Sequence, residues 1–350
     1  MKSCSTFCIC KIFNKLQTGE NVSVLPKYSG TAVPLTFLSY DETTGCVTVN
    51  DLEGRTIKFS CSDVAGLISG HVPPPVTARF LYVANFREDT VDIYDIIDPT
   101  SPAHVGEFNA GNLDGPTGLA ITGTTLYVTN YNTSTIEIYD VTNPTSPVHV
   151  GQVTGNLASP IALAITGTIL YVANQSDNTV EIYTITNPTS PVHVGQFNGG
   201  NLSAPTGLVI TGTTLYVSNF SDDTVEIYNI TNPSAPVHAG QFNAGNLRNP
   251  AGMAITGAIL YVSNFGDNTV EIYDSTNASA PVHVGQFNGG NLVNPAPLAI
   301  TGTTLYVGNF NDDNVEIYDI TNPINPVHVG EFNGVNLGGP FGLAIISVFG

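Results

Sequence analysis

From residue 77 onward the apolar positions fall in short runs of four to seven residues, rich in β-branched and aromatic side chains, with no helical period of useful length. The unit Thr211 to Ile255 shows the pattern. Leu-Tyr-Val leads into the polar turn Asn-Phe-Ser-Asp-Asp. Thr-Val-Glu-Ile-Tyr ends at Thr-Asn-Pro, Pro-Val-His-Ala-Gly-Gln-Phe ends at Asn-Ala-Gly-Asn, and Gly-Met-Ala-Ile ends at Thr-Gly. Four apolar runs divided by Gly, Pro, Asn and Asp predict four strands joined by tight turns.

The unit repeats. Leu-Tyr-Val begins at Leu81, Leu126, Leu170, Leu215, Leu260 and Leu305, at spacings of 45, 44, 45, 45 and 45. His104, His149, His193, His238, His283 and His328 follow the same period. Repeats of this length build solenoids, propellers or arrays, and four strands per repeat is the content of one propeller blade. A solenoid needs polar capping repeats, yet the sixth repeat resembles the middle ones. The chain ends also suit closure. The Gly-Leu-Ala-Ile strand ending each repeat would be the innermost strand of the next blade. Upstream of the first repeat its place is held by His71-Val72-Pro73-Pro74-Pro75, whose three prolines cannot donate ladder hydrogen bonds. The spare copy Gly342–Ile346 is therefore expected to complete the first blade. The predicted fold is all-β: a six-bladed propeller of four-stranded blades, with repeats at 77–121, 122–165, 166–210, 211–255, 256–300 and 301–345.

The preceding residues follow another pattern. Alternating runs at Val22–Leu25, Leu35–Tyr40, Cys46–Asn50 and Thr56–Ser60, divided by Gly30, Gly45 and Gly54, predict a small β-barrel over residues 17–70. Residues 71–76 read as a stiff Pro-rich linker, and residues 1–16 as a cysteine-containing tail.

Charge sharpens this division. Residues 1–76 hold six basic and six acidic groups, whereas residues 77–350 hold only Arg79, Arg87 and Arg248 against 22 carboxylates, which accounts for the net −19. Such a field repels phosphate backbones and argues against nucleic-acid partners. It leaves proteins, neutral glycans or cations as expected partners. No apolar run reaches the length of a transmembrane helix, and Met1–Lys15 does not read as a standard signal peptide.

The segment Leu126–Asp140, LYVTNYNTSTIEIYD, resembles the YVTN-type propeller repeats of bacteria and archaea, and Ile317–Asn333, IYDITNPINPVHVGEFN, resembles the LVIVD repeat of surface-associated propellers. The resemblance implies a bacterial surface location and no assigned catalysis. The N-terminal segment is similar in outline to Sm-like or SH3-like barrels and to short barrels of bacterial spore-coat proteins. With no Trp in the chain, the WD40 class does not fit.

Candidate sites lie where turns recur. The turn after Leu-Tyr-Val supplies Asn85 and Phe86, Asn130 and Tyr131, Asn219, Phe220, Asp222 and Asp223, Asn264, Phe265 and Asp267, and Asn309, Phe310, Asp312 and Asp313. These are expected to share one propeller face with the inter-blade loops and to bind a partner there. Asn and Asp also form tight hairpins for backbone reasons alone. No cofactor is called for; oxygen-rich turns would suit Ca²⁺, although the EF-hand spacing is absent. The repeat histidines sit too far apart for a shared ion, and Asp140 or Asp319 is placed to pair with His149 or His328 across the hairpin. Cys4, Cys8 and Cys10 read as a crosslinking or attachment cluster rather than a metal site. No catalytic set stands out; Arg87, Arg248, Pro297 and Phe341 break the repeat only lightly. The expected role is a non-catalytic binding or structural protein of a cell envelope or spore coat, with a lactonase-like propeller hydrolase as the alternative.

Overall fold

In the computed structural model the described residues are 21–26, 33–41, 46–50, 56–60, 64–68 and 76–349, apart from 110, 199, 244, 290 and 335–336. The chain divides into two compact units, residues 1–77 with 348–350, and residues 78–347. Cys4, Cys8 and Cys10 lie outside the described residues, as does most of the linker.

The first unit holds β1 (Asn21–Pro26), β2 (Val33–Asp41), β3 (Cys46–Asn50), β4 (Thr56–Ser60) and β5 (Val64–Ile68). They form one antiparallel sheet of order β4-β3-β2-β1-β5. Four strands fall on the expected alternating runs. The barrel expected over residues 17–70 includes connecting segments that lie outside the described residues.

The second unit is a six-bladed propeller. Its strands begin with β6 (Val76–Asn85), β7 (Thr90–Asp95) and β8 (Ala103–Phe108), and continue through β9 (Pro116–Thr122), β10 (Thr125–Asn130), β11 (Thr135–Asp140) and β12 (Val148–Thr154). Sixteen further strands repeat that order up to Phe332, and β29 (Pro340–Phe349) ends the chain. Each blade is a four-stranded antiparallel meander, as in β9-β10-β11-β12. The first blade is the exception in sequence but not in shape. Its order is β29-β6-β7-β8, so the C-terminal strand closes the ring.

Burial explains the pattern of the strands. The Leu-Tyr-Val strand is buried at every position of β10 because it lies second from the axis, with a neighbouring blade on each side. Between the third and fourth blades, Tyr171, Val180 and Ile182 pack against Leu215, Val217 and Tyr228. Fully burying each Val or Leu contributes about 1.5–3 kcal/mol. The outermost strand faces solvent along half its positions, so its valines, such as Val192 and Val237, stay exposed.

A hydrogen bond links each blade to the next. The Leu-Tyr-Val tyrosine donates to a carbonyl of the following blade: Tyr82 to Pro144 (2.8 Å), Tyr127 to Pro188 (2.8 Å), Tyr171 to Pro233 (2.6 Å), Tyr216 to Ala278 (2.8 Å) and Tyr261 to Pro323 (2.7 Å). Tyr306 donates to Pro99 at 2.7 Å and joins the sixth blade to the first. The acceptor is backbone, which is why Ala278 can replace proline. At the axis the blades approach through small residues. A Cβ at Gly207 would land on the Ala251 carbonyl oxygen, and one at Gly342 on that of Thr117.

The histidines differ from expectation. Antiparallel register sets Tyr139 opposite His149 and Glu137 opposite Gln152, so the imidazole reaches inward to the glutamate rather than along the edge to Asp140. His149 Nε2 lies 2.8 Å from Glu137 Oε2, and Glu181–His193, Glu226–His238, Glu271–His283 and Glu316–His328 repeat the pair at 2.6–2.8 Å. Asp140 instead accepts from the backbone and hydroxyl of Thr142 at 2.8 and 2.6 Å, and Asp319 does the same with Thr321. Those bonds lower both carboxyl pKa values.

Candidate functional site

One end of the propeller is built by two loops per blade. The turn between the second and third strands holds its fourth or fifth residue in the left-handed region: Asp89, Ser134, Asn178, Asp223, Asn268 and Asp313, with φ between 53° and 59°. Asn and Asp tolerate this conformation best among residues bearing a side chain. Each side chain also accepts the N–H of a residue in the following inter-blade loop. Asp89 takes that of Gly115, Asp223 that of Asn249 and Asp313 that of Gly339, all at 2.7 Å.

The accepted residue is itself left-handed: Gly115, Ser159, Ala204, Asn249, Asn294 and Gly339 have φ between 49° and 59°, each directly before a proline. Their carbonyls receive the N–H of the residue after the Asn that opens each turn. These bonds run from Phe86 to Gly339, Tyr131 to Gly115, Gln175 to Ser159, Phe220 to Ala204, Phe265 to Asn249 and Phe310 to Asn294, at 2.9–3.3 Å. Backbone strain of about 1–2 kcal/mol at a non-glycine αL residue is thus held by two hydrogen bonds, and it aims six side chains at the axis.

Those six side chains form a cup. Phe86 meets Tyr131 and Phe310 at centroid distances of 5.9 and 6.0 Å, Phe265 meets Phe220 and Phe310 at 5.7 and 6.1 Å, and Phe341 contacts Phe310 at 5.4 Å. The cavity is open to solvent and about 210 Å³ in volume, and Thr117, Ile161, Thr206 and Phe341 from the innermost strands also line it. A narrower space of about 80 Å³ continues down the axis among Gly118, Gly207, Gly252 and Leu298.

Gln175 interrupts the aromatic ring and makes one polar wall. Tyr131 Oη donates to Gln175 Oε1 at 2.9 Å, Gln175 Nε2 donates to Thr206 Oγ1 at 3.4 Å, and Thr206 donates to the Ala204 carbonyl at 2.9 Å. An amide nitrogen carries two hydrogens, so this wall can offer a donor to a ligand carbonyl. The cup lining contains no carboxylate or imidazole.

The remaining candidates take different places. Asn85, Asn130, Asn219, Asn264 and Asn309 are buried. Four of them bond the inter-blade loop backbone, as Asn219 Nδ2 does to Asn201 O at 2.6 Å. Asp222, Asp267 and Asp312 are exposed around the rim. Arg248 pairs with Asp267 at 3.2 Å, and Arg87 pairs with Asp313 at 2.7 Å while its guanidinium stacks 4.5 Å over Phe310. The sequence reading missed Gln175, Thr117, Ile161 and Thr206. Gln175 carried a signal, since it alone departs from an aromatic at that repeat position.

The chain matches the sequence model of a family described as "Lactonase, 7-bladed beta-propeller" over residues 77–246. No curated protein matches it. Among solved structures it is similar to a putative 6-phosphogluconolactonase from Bacteroides fragilis, with 17% identity, TM-score 0.58 and coverage of 95% of this chain and 99% of the other. A periplasmic gluconolactonase from Pseudomonas aeruginosa gives 16% identity, TM-score 0.58 and coverage of 93% and 98%. A chain of a nidogen/laminin complex gives 16% identity, TM-score 0.60 and coverage of 76% and 98%. At such identities the structural likeness carries the propeller fold alone. The family match runs against the expectation of a non-catalytic surface protein and against the expectation that the chain is not an enzyme, and it favours the hydrolase alternative. The error has a physical source: near-identical repeats hid the few positions facing the axis, where the blades do differ.

Proposed function

We propose that this propeller is a lactonase-like hydrolase that opens an uncharged cyclic ester held in the aromatic cup. The family match at residues 77–246 is the observation that carries this reading. The cup supports it chemically. A sugar lactone presents an apolar C–H face that suits Phe220, Phe265 and Phe310, and a carbonyl that suits the Tyr131–Gln175–Thr206 wall. Polarising that carbonyl stabilises the oxyanion formed when water adds, a term worth about 3–4 kcal/mol per well-placed donor. The cup lining holds no carboxylate, so the proton of the attacking water passes through solvent to a rim carboxylate, for which Asp177, Asp222 and Asp312 are exposed. The ring oxygen takes up a proton by the same route as the ring C–O bond breaks to give the hydroxy acid.

The charge balance selects among substrates. Twenty-two carboxylates against three arginines leave a neutral lactone unopposed, disfavour a phosphorylated one, and repel the anionic product. We further place the blade sequence with the YVTN and LVIVD repeats, on the strength of Leu126–Asp140 and Ile317–Asn333.

The test is pH-stat measurement of ring opening for uncharged γ- and δ-sugar lactones and a phosphorylated counterpart. The expected result is acceleration above spontaneous hydrolysis, greatest for the uncharged lactones, with a higher KM for Phe220→Ala and a lower kcat for Gln175→Ala. Rates equal to the spontaneous ones across the panel overturn the reading.

A further inference from the structure

The first blade breaks the repeat away from the cup, on its third and fourth strands. In blades two to six the third strand carries a buried glutamate hydrogen-bonded to the repeat histidine. In the first blade that residue is Asp92, one methylene shorter, and the gap to His104 Nε2 widens to 3.9 Å. Register also sets Asp92 directly opposite Glu107. Blades two to five have glutamine there, and in the second blade Gln152 Nε2 donates to Glu137 Oε1 at 2.7 Å. Asp92 therefore faces another acceptor where its counterpart faces a donor.

The consequence is a buried carboxylate short of partners. Asp92 has no exposed surface, and its Oδ1 has no hydrogen-bond partner. Oδ2 has the Tyr94 hydroxyl at 3.4 Å and the distant imidazole, and the Asn85 side chain gives the carboxyl some further hydrogen-bond support. A buried ionised carboxylate is costly unless paired or bound to a metal. His104 and Glu107 are exposed, and one ligand atom from each of the three residues lies within 4.8 Å of the others.

We infer that Asp92, His104 and Glu107 form a divalent-cation site of the zinc class, with one nitrogen and two carboxylate ligands and a position left for water. Zinc bonds to such ligands are about 2.0–2.2 Å, so tetrahedral ligand atoms stand roughly 3.4 Å apart. Rotation of the exposed His104 side chain would close its present 3.9 Å separation from Asp92. The Asp92 carboxyl fits this role: burial raises its pKa to about 6, His104 opposes the rise and Glu107 adds to it, and a cation would reverse the cost. The inference is independent of the cup, because the site lies on β7 and β8 rather than on the axial loops.

The test compares Zn²⁺ uptake by chelator-stripped full-length protein with that of Asp92→Glu/Glu107→Gln, using native mass spectrometry and calorimetry. This double variant restores the residues found in blades two to five, so it keeps the fold. The parent is expected to bind one zinc equivalent more than the variant, whatever Cys4, Cys8 and Cys10 bind in both. A second variant, Glu137→Asp/Gln152→Glu, moves the set into the second blade and is expected to gain one equivalent. Equal zinc uptake by all three proteins overturns the inference.

Discussion

Truncating Glu226 to alanine tests whether the buried Glu–His pair holds a blade together. Glu226 is 1% exposed. Its Oε1 accepts the Thr224 hydroxyl at 3.0 Å and Asn219 Nδ2 at 3.3 Å, and its Oε2 meets His238 Nε2 at 2.7 Å. The three donors do not lose equally in Glu226→Ala. Asn219 keeps the Asn201 carbonyl at 2.6 Å, and His238, with its side chain 32% exposed, can reach water. The Thr224 hydroxyl is left buried without its acceptor. A charge-assisted bond at about 1.5–3 kcal/mol, an orphaned hydroxyl at about 1 and the deleted methylenes give a loss of about 3–4 kcal/mol. At roughly 2 °C per kcal/mol for a domain of this size, melting should fall by about 6–8 °C. Glu226→Gln keeps the volume and a lone pair for Thr224, so its cost should be near 1 kcal/mol. Asp92→Ala in the first blade should cost less than Glu226→Ala, since His104 is already out of hydrogen-bond reach. Thermal melts and urea midpoints of the three variants, measured with chelator present, decide the matter. A loss within about 0.5 kcal/mol for Glu226→Ala, or equal losses for the alanine and glutamine variants, refutes the reasoning.

Three further outcomes follow from the geometry. Deleting residues 341–350 removes β29 from the order β29-β6-β7-β8 and opens the ring, so melting should drop on the order of 10 °C or more; an unchanged melt contradicts closure by this strand. Glu316 has a raised pKa, caused first by burial and then by the hydrogen bond with Glu331. A carboxyl raised in the folded state contributes stability at low pH that is lost as pH climbs from the ordinary carboxylate range through the raised value. Glu331→Gln, which supplies a donor as Gln152 does, should therefore stabilise at pH 7 and converge with the parent near pH 4; an equal difference at both pH values tells against it. Ala204 has φ of 50°, so Ala204→Gly should stabilise by about 0.5–1 kcal/mol. Gly339→Ala should destabilise by about 2 kcal/mol or more, because its Cβ would lie 2.9 Å from the Phe310 ring; urea midpoints in the opposite order would refute the αL argument.

The architecture was legible because it is local and repeated. Four apolar runs per unit specify four strands, the 45-residue period specifies identical blades, and a proline block upstream against a spare Gly342–Ile346 downstream specifies which strand closes the ring. Gly, Asn and Asp at the turns act through their own backbone, so neighbours are not needed to read them. The site depended on what the period conceals. Phe86 and Phe310 are far apart in sequence and 6.0 Å apart in the cup, and only ring closure brings them together. Phe341 looked like a small departure from the repeat, and Gln175 passed unnoticed, until curvature turned six equivalent positions toward one axis. The histidine partner likewise required register. His149 is nearer in sequence to Asp140 than to Glu137, but antiparallel pairing with Glu137 opposite Gln152 buries the glutamate beside the imidazole and leaves the aspartate at the edge. Sequence therefore determined the blades and their number, because strand, turn and period are short-range properties. Tertiary structure decided which repeated residues share a cavity, because that depends on the angle between blades, which no single blade contains.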